Sequence, residues 1–185
     1  MTPTGNDNQP SLASTGNENQ PSMAPTGNEN QHWVFRVDVA DRAGAVTSIA
    51  SAFSNRGISI ETLVGHGAAY PGAAGGAVVV TFWCSPQAKD EIVRVVRRLS
   101  KVIALQEHPY DSEELRKSAL ISVTRRLTPL DVAGRETFLT CELVRERRGL
   151  HHYFVAGSPS ELDPVIARLV EGGVLADIVY AVIGA

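Results

Sequence analysis

The sequence predicts an α+β protein made of two βαββαβ-type units in tandem, the second with its first helix trimmed. Three observations lead there. Segments with a two-residue apolar period alternate with segments whose apolar residues recur every three to four positions. Their order repeats once along the chain. The stretch ahead of residue 32 obeys neither period.

That leading stretch is a different polymer from the rest. Residues 3–13 (PTGNDNQPSLA), 14–24 (STGNENQPSMA) and 25–31 (PTGNENQ) repeat an eleven-residue unit two and a half times. An eleven-residue period can mark a right-handed coiled coil, but each full unit carries a Gly, a Pro and only two apolar positions. Residues 1–31 are therefore expected to be a disordered low-complexity tail. Of the 185 residues 43% are hydrophobic, and only five of those (Met1, Leu12, Ala13, Met23, Ala24) fall in the tail, so the body reaches the globular norm of about 45–50%. The net charge of -3 also sits in the tail, on Asp7, Glu18 and Glu29. From residue 32 on, 17 basic residues balance as many acidic ones, which removes the long-range positive field that nucleic-acid binding uses.

The first unit spans residues 32–110. Residues 33–40 (WVFRVDVA) place Trp33, Phe35, Val37 and Val39 on one face, the mark of a half-buried strand. The turn DRAGA leads into a helix over 45–56, where Ala45, Val46, Ile49, Ala50 and Phe53 form the apolar side and Asn55-Arg56-Gly57 the stop. Residues 58–65 (ISIETLVG) start a second strand, 65–76 form a Gly/Ala/Pro-rich loop, and 77–84 (AVVVTFWC) form an apolar strand. Ser85-Pro86 supplies a cap and a proline where the next helix begins. Ala88, Ile92, Val95, Val96 and Leu99 line that helix, and a strand over 102–108 closes the unit. This β-α-β-β-α-β order is the split βαβ of ferredoxin-like folds.

Residues 111–185 read as an incomplete second copy. Residues 119–124 (ALISVT) begin it as a strand, and 137–145 and 150–156 flank the turn ERRG as a hairpin. A helix over 159–171 follows, with Leu162, Val165, Ile166, Leu169 and Val170 as its stripe, and a strand over 174–183 ends the unit. Between the first two strands, RRLTPLDVAGRE (125–136) contains Pro129 and Gly134 and leaves room for one or two helical turns. The copy is therefore expected to be poor wherever a site depends on that helix.

Several chemistries are excluded. No stretch approaches the 18 uncharged apolar residues of a membrane span, and the polar start lacks a signal peptide's apolar run, so a cytoplasmic protein without membrane contact is expected. Cys84 and Cys141 fall in strands without a CxxC pair and read as buried free thiols. His151 and His152 point to opposite faces of a strand, which rules out joint chelation, and read as surface residues. Asp90-Glu91, Glu113-Glu114 and the trio Arg94, Arg97, Arg98 read as solvated surface, with an acidic partner as the alternative for the arginines. No Ser-His-Asp order, HExxH, P-loop or GxGxxG occurs, and neither a metal nor a cofactor is expected.

One segment is informative: Asp41-Arg42-Ala43-Gly44-Ala45-Val46, followed by Arg56-Gly57-Ile58-Ser59-Ile60-Glu61. Gly44 sits where a strand passes into a helix, so a ligand can approach the main chain, and the amides opening the helix favour a carboxylate. The pattern is an anion site without any basic side chain. Ser59 begins the neighbouring strand and is expected beside the same opening. On spacing alone, a plain backbone turn remains the alternative.

The segment VFRVDVADRAGAVTSIASAFSNRGISIETLVGHG resembles the opening of an ACT domain, in particular that of the small, regulatory subunit of acetolactate synthase. There a strand, an (E/D)xxGAL-like turn, a helix and RGxNIxSL follow in the same order. The similarity continues through VVRRLSKVIALQEH and, more loosely, SALISV and HHYFVAGSPSELDPVIARLV, covering residues 33–183. The resemblance implies a non-catalytic subunit that binds a thiamine-diphosphate-dependent catalytic (large) subunit and raises its acetolactate formation. It also implies feedback by a branched-chain amino acid, usually valine. The chain would be a homodimer or higher, with strand edges paired between copies. The effector would lie between two ACT domains, its carboxylate on the amides of Gly44 and Ala45, with Ser59 and Ile60 closing the site from the partner chain.

The chain departs from the family at two of these positions. Where the family often has Asn, this sequence has Asp41 and Ser59. An ionised Asp41 cannot donate to a carboxylate, though it can accept from an ammonium group, and Ser59 offers one donor in place of two. Valine feedback is therefore expected to be weakened, lost or redirected to another ligand, with a helix N-cap as the alternative role of Asp41. The competing reading is a stand-alone tandem-ACT amino-acid sensor acting on another enzyme or on gene expression. An enzyme in its own right ranks last, for want of a nucleophile or an acid/base pair near the glycine turn.

Overall fold

The computed structural model describes residues 29–40, 42–68, 75–132 and 139–184. The expected tail up to residue 28 and Asp41 lie outside the described residues. The alternation of β1 (Gln31–Val39) sends Phe35, Val37 and Val39 into one core. They meet Val78, Val80 and Phe82 of β3 (Gly76–Cys84), under Ile49 and Phe53 of α1 (Ala45–Ser54) and Ile92 and Val96 of α2 (Pro86–Val96). Phe82 packs edge-on to Phe35 and Phe53, with ring centroids 4.7 and 4.8 Å apart. Together with β2 (Ile60–His66) and β4 (Val102–Pro109), these strands form an antiparallel sheet in the order β2-β3-β1-β4. The Ser85 hydroxyl accepts the Ala88 N–H at 3.3 Å ahead of Pro86, as the cap signal predicts. Val93 joins the buried side of α2, whereas Val95 and Leu99 pack only at its margin.

The second sheet repeats the strand order as β6-β7-β5-β8, from β5 (Leu115–Val123), β6 (Thr140–Arg147), β7 (Leu150–Gly157) and β8 (Leu175–Gly184), with α3 (Pro159–Glu171) on one face. The fold is thus α+β with two ferredoxin-like sheets. Residues 124–132 hold no helix, and residues 133–138 lie outside the described ones. Leu127, Val132 and Leu139 pack against the second core. The β6–β7 turn is shorter than ERRG, because β6 runs on to Arg147 and the chain reverses over Arg148 and Gly149 (φ 53° and 77°). Val170, expected in the α3 stripe, is 57% exposed, because it lies one helical step past the inward row of Leu162, Val165 and Leu169.

Strand β5 begins four residues earlier than the apolar pattern indicates. Lys117 interrupts that pattern yet is only 6% exposed. Its ammonium donates to Asp163 at 2.6 Å and to the Tyr110 hydroxyl at 3.0 Å, and lies 4.0 Å from the Tyr180 ring centroid. These residues belong to a seam between the sheets. Val34 and Val79, on the helix-free face of the first sheet, pack against Leu115 and Val182 of the second. Arg36 donates to the Gly184 carbonyl at 3.0 Å, and Tyr180 donates to the Glu61 carboxylate. Glu61 also stands 2.5 Å from His32 Nε2, and the His32 ring is stacked between Trp83 (4.2 Å) and Tyr110 (3.6 Å).

Burial holds the His32 pKa below its ordinary 6.5, against the opposing pull of Glu61. As pH falls, the unfolded chain therefore takes up this proton before the folded one does. Stability is complete above about pH 6.5 and declines as the pH drops through that value. Urea midpoints measured at pH 7.5 and 5.5 are expected to fall between the two, and less so in His32→Asn; an equal or larger fall in that variant would contradict the assignment.

Candidate functional site

The chain leaves β1 at Val39 and enters α1 through Gly44, the N-cap, at φ 82°. A glycine cap offers no side-chain oxygen to the first-turn amides. The Ala45 N–H donates to the Arg42 carbonyl at 3.3 Å. Among the described residues, the N–H groups of Gly44, Val46 and Thr47 have no acceptor. They stand at the positive end of a ten-residue helix. The other two helix starts are satisfied from within the chain, α2 by Ser85 and α3 by the Glu161 carboxylate, which accepts the Ser158 N–H at 3.2 Å.

These amides border a cleft of about 420 Å³ between the end of β1, the start of α1 and the end of β2. Val39, Val46, Leu63 and Val78 give it apolar walls, and among the described residues Arg42 and His66 are its ionisable lining. Gly76 allows β2 and β3 to close up there, since a Cβ at that position would come 2.0 Å from the His66 carbonyl oxygen. A small acid with a branched apolar body matches both halves of the lining, the carboxylate meeting the amides and the body meeting the valines and Leu63. Among the described residues of the lining, Thr47 is the one hydroxyl, no thiol or carboxylate occurs, and nothing forms a nucleophile–base pair.

The structure separates the residues singled out in the sequence. Gly44 and Ala45 line the cleft, Gly44 exposed and Ala45 buried with its amide already engaged. Asp41 lies outside the described residues, and the N-cap position is Gly44. Ser59 is exposed just ahead of β2, and Ile60, at its first position, packs beside the first core. From Ile60 to His66 the strand covers roughly 20 Å, so within one chain Ser59 and Ile60 stand at the far end of β2 from the cleft.

The expectation of a site without basic side chains is corrected. Arg42 lines the cleft, and Lys101 Nζ donates to the Ala43 carbonyl at 2.6 Å. Lys101 is distant in sequence, but β4 neighbours β1, so the turn before β4 comes beside the turn after β1. Its own carbonyl accepts the Ala40 N–H at 2.9 Å. That neighbourhood follows from ferredoxin-like topology and was the signal available in the sequence. On its other side, Gly44 also borders a groove of about 530 Å³ between α1 and α2, lined by Ser48, Ser51, Arg56, Leu99 and Lys101 among others.

The remaining candidates are structural. His151 and His152 are half-buried and not on the open surface; His152 Nδ1 lies 2.9 Å from the Ser122 hydroxyl and His151 Nδ1 3.3 Å from Glu146. Cys84 is buried, which pushes its thiol up to about 11, and Cys141 is half-buried; both are free. Arg97 pairs with Glu107 at 3.1 Å, and Asp90 with Lys89 at 2.8 Å. Among the described residues, no three His, Cys, Asp or Glu groups are placed to hold a metal, and no helix is long and apolar enough to cross a membrane.

Replacing Gly44 by Ala keeps the cleft walls but forces a side chain into left-handed backbone, with its Cβ 2.9 Å from the movable Lys101 Nζ. The expected loss is about 1–2 kcal/mol, read from denaturant midpoints. A variant as stable as the parent would show that the turn relaxes out of this conformation.

No protein-family model matches the chain, and none of the curated proteins matches it in sequence. Solved structures do match. The acetolactate synthase small subunit from Thermotoga maritima superposes with a TM-score of 0.61 at 15% identity, over 84% of this chain and 98% of that one. The regulatory subunit of aspartate kinase from Thermus thermophilus matches at 14% identity and a TM-score of 0.42, over 77% of this chain and 98% of that one. At such identities the likeness is one of fold, and for the Thermotoga maritima subunit it extends across both sheets.

Proposed function

We propose that the protein is a non-catalytic regulatory subunit of the ACT kind that binds and activates a thiamine-diphosphate-dependent acetolactate synthase catalytic subunit, under control of a small carboxylate at the Gly44 cleft. The carrying observation is the cleft itself: apolar walls beside a helix start where, among the described residues, the amides of Gly44, Val46 and Thr47 have no acceptor. The fold shared with the Thermotoga maritima small subunit, over nearly all of that chain, supports the choice of partner. In this reading residues 32–110 are the effector-binding domain and 111–185 the C-terminal regulatory domain, working in the cytoplasm.

The site is completed by a second copy. β2 is an edge strand, with open backbone groups on one side. Antiparallel pairing of β2 with its symmetry mate sets the start of one strand against the end of the other, which brings the partner's Ser59 and Ile60 beside the His66 end of the cleft. Binding energy at that seam can bias the dimer toward the arrangement the catalytic subunit prefers.

Adding the full chain to an acetolactate synthase catalytic subunit from the same organism is expected to raise the rate of acetolactate formation several-fold. An unchanged rate, with no complex on gel filtration, would overturn the assignment; binding of an amino acid without any effect on the synthase would instead favour a free-standing sensor. Calorimetric titration with valine is expected to show no micromolar binding, because Ser59 offers one donor where an Asn offers two. Micromolar valine binding would refute the altered specificity while leaving the subunit assignment standing.

A further inference from the structure

Gly44 separates two openings, the cleft and the α1–α2 groove, and Lys101 lines only the groove. From that side its ammonium donates to the Ala43 carbonyl at 2.6 Å, and it is in no ion pair with a carboxylate among the described residues. None of the described peptide bonds is cis. In a trans peptide the N–H points opposite to the C=O of the same unit. An Ala43 carbonyl drawn toward the groove therefore turns the Gly44 N–H toward the cleft.

This orientation needs a restraint. Glycine adopts positive and negative φ about equally readily, so the Ala43–Gly44 peptide can rotate at little intrinsic cost. Rotation by half a turn would replace the N–H at the cleft by a carbonyl oxygen, which repels a carboxylate. The neighbouring Ala45 N–H is already committed to Arg42, and the glycine cap has no side chain to intervene.

We infer that Lys101 is a positioning residue, which by binding the Ala43 carbonyl keeps the Gly44 amide facing the cleft as a donor to a carboxylate ligand. The inference rests on the ligand-binding reading above for its purpose, but the peptide orientation is independent of it. Lys101 itself stays on the groove side and does not touch the ligand.

The test is nuclear magnetic resonance on the full, isotope-labelled chain, with isovalerate as the probe carboxylate. Three forms are compared: the parent, Lys101→Met and Lys101→Arg. Without ligand, the sequential contact between Ala43 Hα and the Gly44 amide proton reports the peptide orientation. It is expected to change in Lys101→Met and to return in Lys101→Arg, which keeps a donor for the carbonyl. Isovalerate affinity is expected to fall about tenfold in Lys101→Met, the equivalent of one hydrogen bond to a charged acceptor, and to recover in Lys101→Arg. A Lys101→Met spectrum with the parent's Ala43–Gly44 contact would overturn the inference. So would an undiminished affinity in that variant. Should the parent bind no isovalerate, the ligand-free contact still decides the role of Lys101, and the failure falls on the ligand-binding reading alone.

Discussion

The helix-free face of the first sheet carries Val34 and Val79, and water cannot be left against it. It is closed by the second sheet, through Leu115 and Val182. By strand alternation from Ala119 and Ile121, Leu115 lies on the face of the second sheet that α3 covers, and Lys117 on that same face reaches Asp163 of α3. Each sheet thus lends the other apolar surface that a lone ferredoxin-like unit would have to hide by itself. The same constraint accounts for β3. Its run GAVVVTFW is buried on both faces up to Phe82, helices on one side and the seam on the other, although antiparallel sheets often keep one face wet. Where apolar groups run out, the seam is finished with polar groups: Glu61 accepts from Tyr180 and stands beside His32, and Lys117 donates to Asp163 and Tyr110. Buried charges persist in such a place only when paired in this way.

The element order of both units was legible because it depends on local periodicity. Phe35, Val37 and Val39 alternate, Ser85-Pro86 announces α2, and Pro129 with Gly134 leaves room for no more than one or two helical turns before β6. What escaped was governed by contacts between distant segments. The first residues of β5 look polar because Lys117 is hidden by tyrosines from elsewhere in the chain, and His151 and His152 are half-buried by neighbours that no spacing reveals. At the site, the glycine turn could be read from DRAGA, but the basic group behind it only through the β1–β4 neighbourhood that ferredoxin-like topology implies. Lys101 reaches Ala43 only once β4 has paired with β1. Ser59 was expected beside the turn because it begins the neighbouring strand, whereas β2 places it a full strand length away within one chain.

The start of α1 sets local stability against amides left open beside the cleft. A Ser or Asp cap in the usual extended backbone is worth only a few tenths of a kcal/mol over glycine, and its side-chain oxygen would occupy the amides that border the cleft. The chain uses side-chain caps at the starts of α2 and α3, at Ser85 and at Glu161. At Gly44 the carbonyls of the turn are held instead, the Ala43 carbonyl by Lys101 from outside the helix and the Gly44 carbonyl by the Ser48 hydroxyl of α1 at 2.8 Å. Both bonds act on carbonyls, so neither consumes a donor.

The cleft and the seam share strand β2. Leu63, Gly65 and His66 wall the cleft, while Glu61, two residues before Leu63, holds His32 and Tyr180 at the seam. This seven-residue strand, paired along one side only, connects the cleft to the C-terminal sheet. Coupling between them requires that β2 have two arrangements of unequal fit to each neighbour, since contiguity alone transmits nothing. The β-bulge between Ile60 and Thr62 is where such a strand can shift without breaking its pairing to β3, because one residue there is already out of register. Glu61 is that residue. Any movement that relocates the bulge must therefore also move the carboxylate that ties the two sheets together.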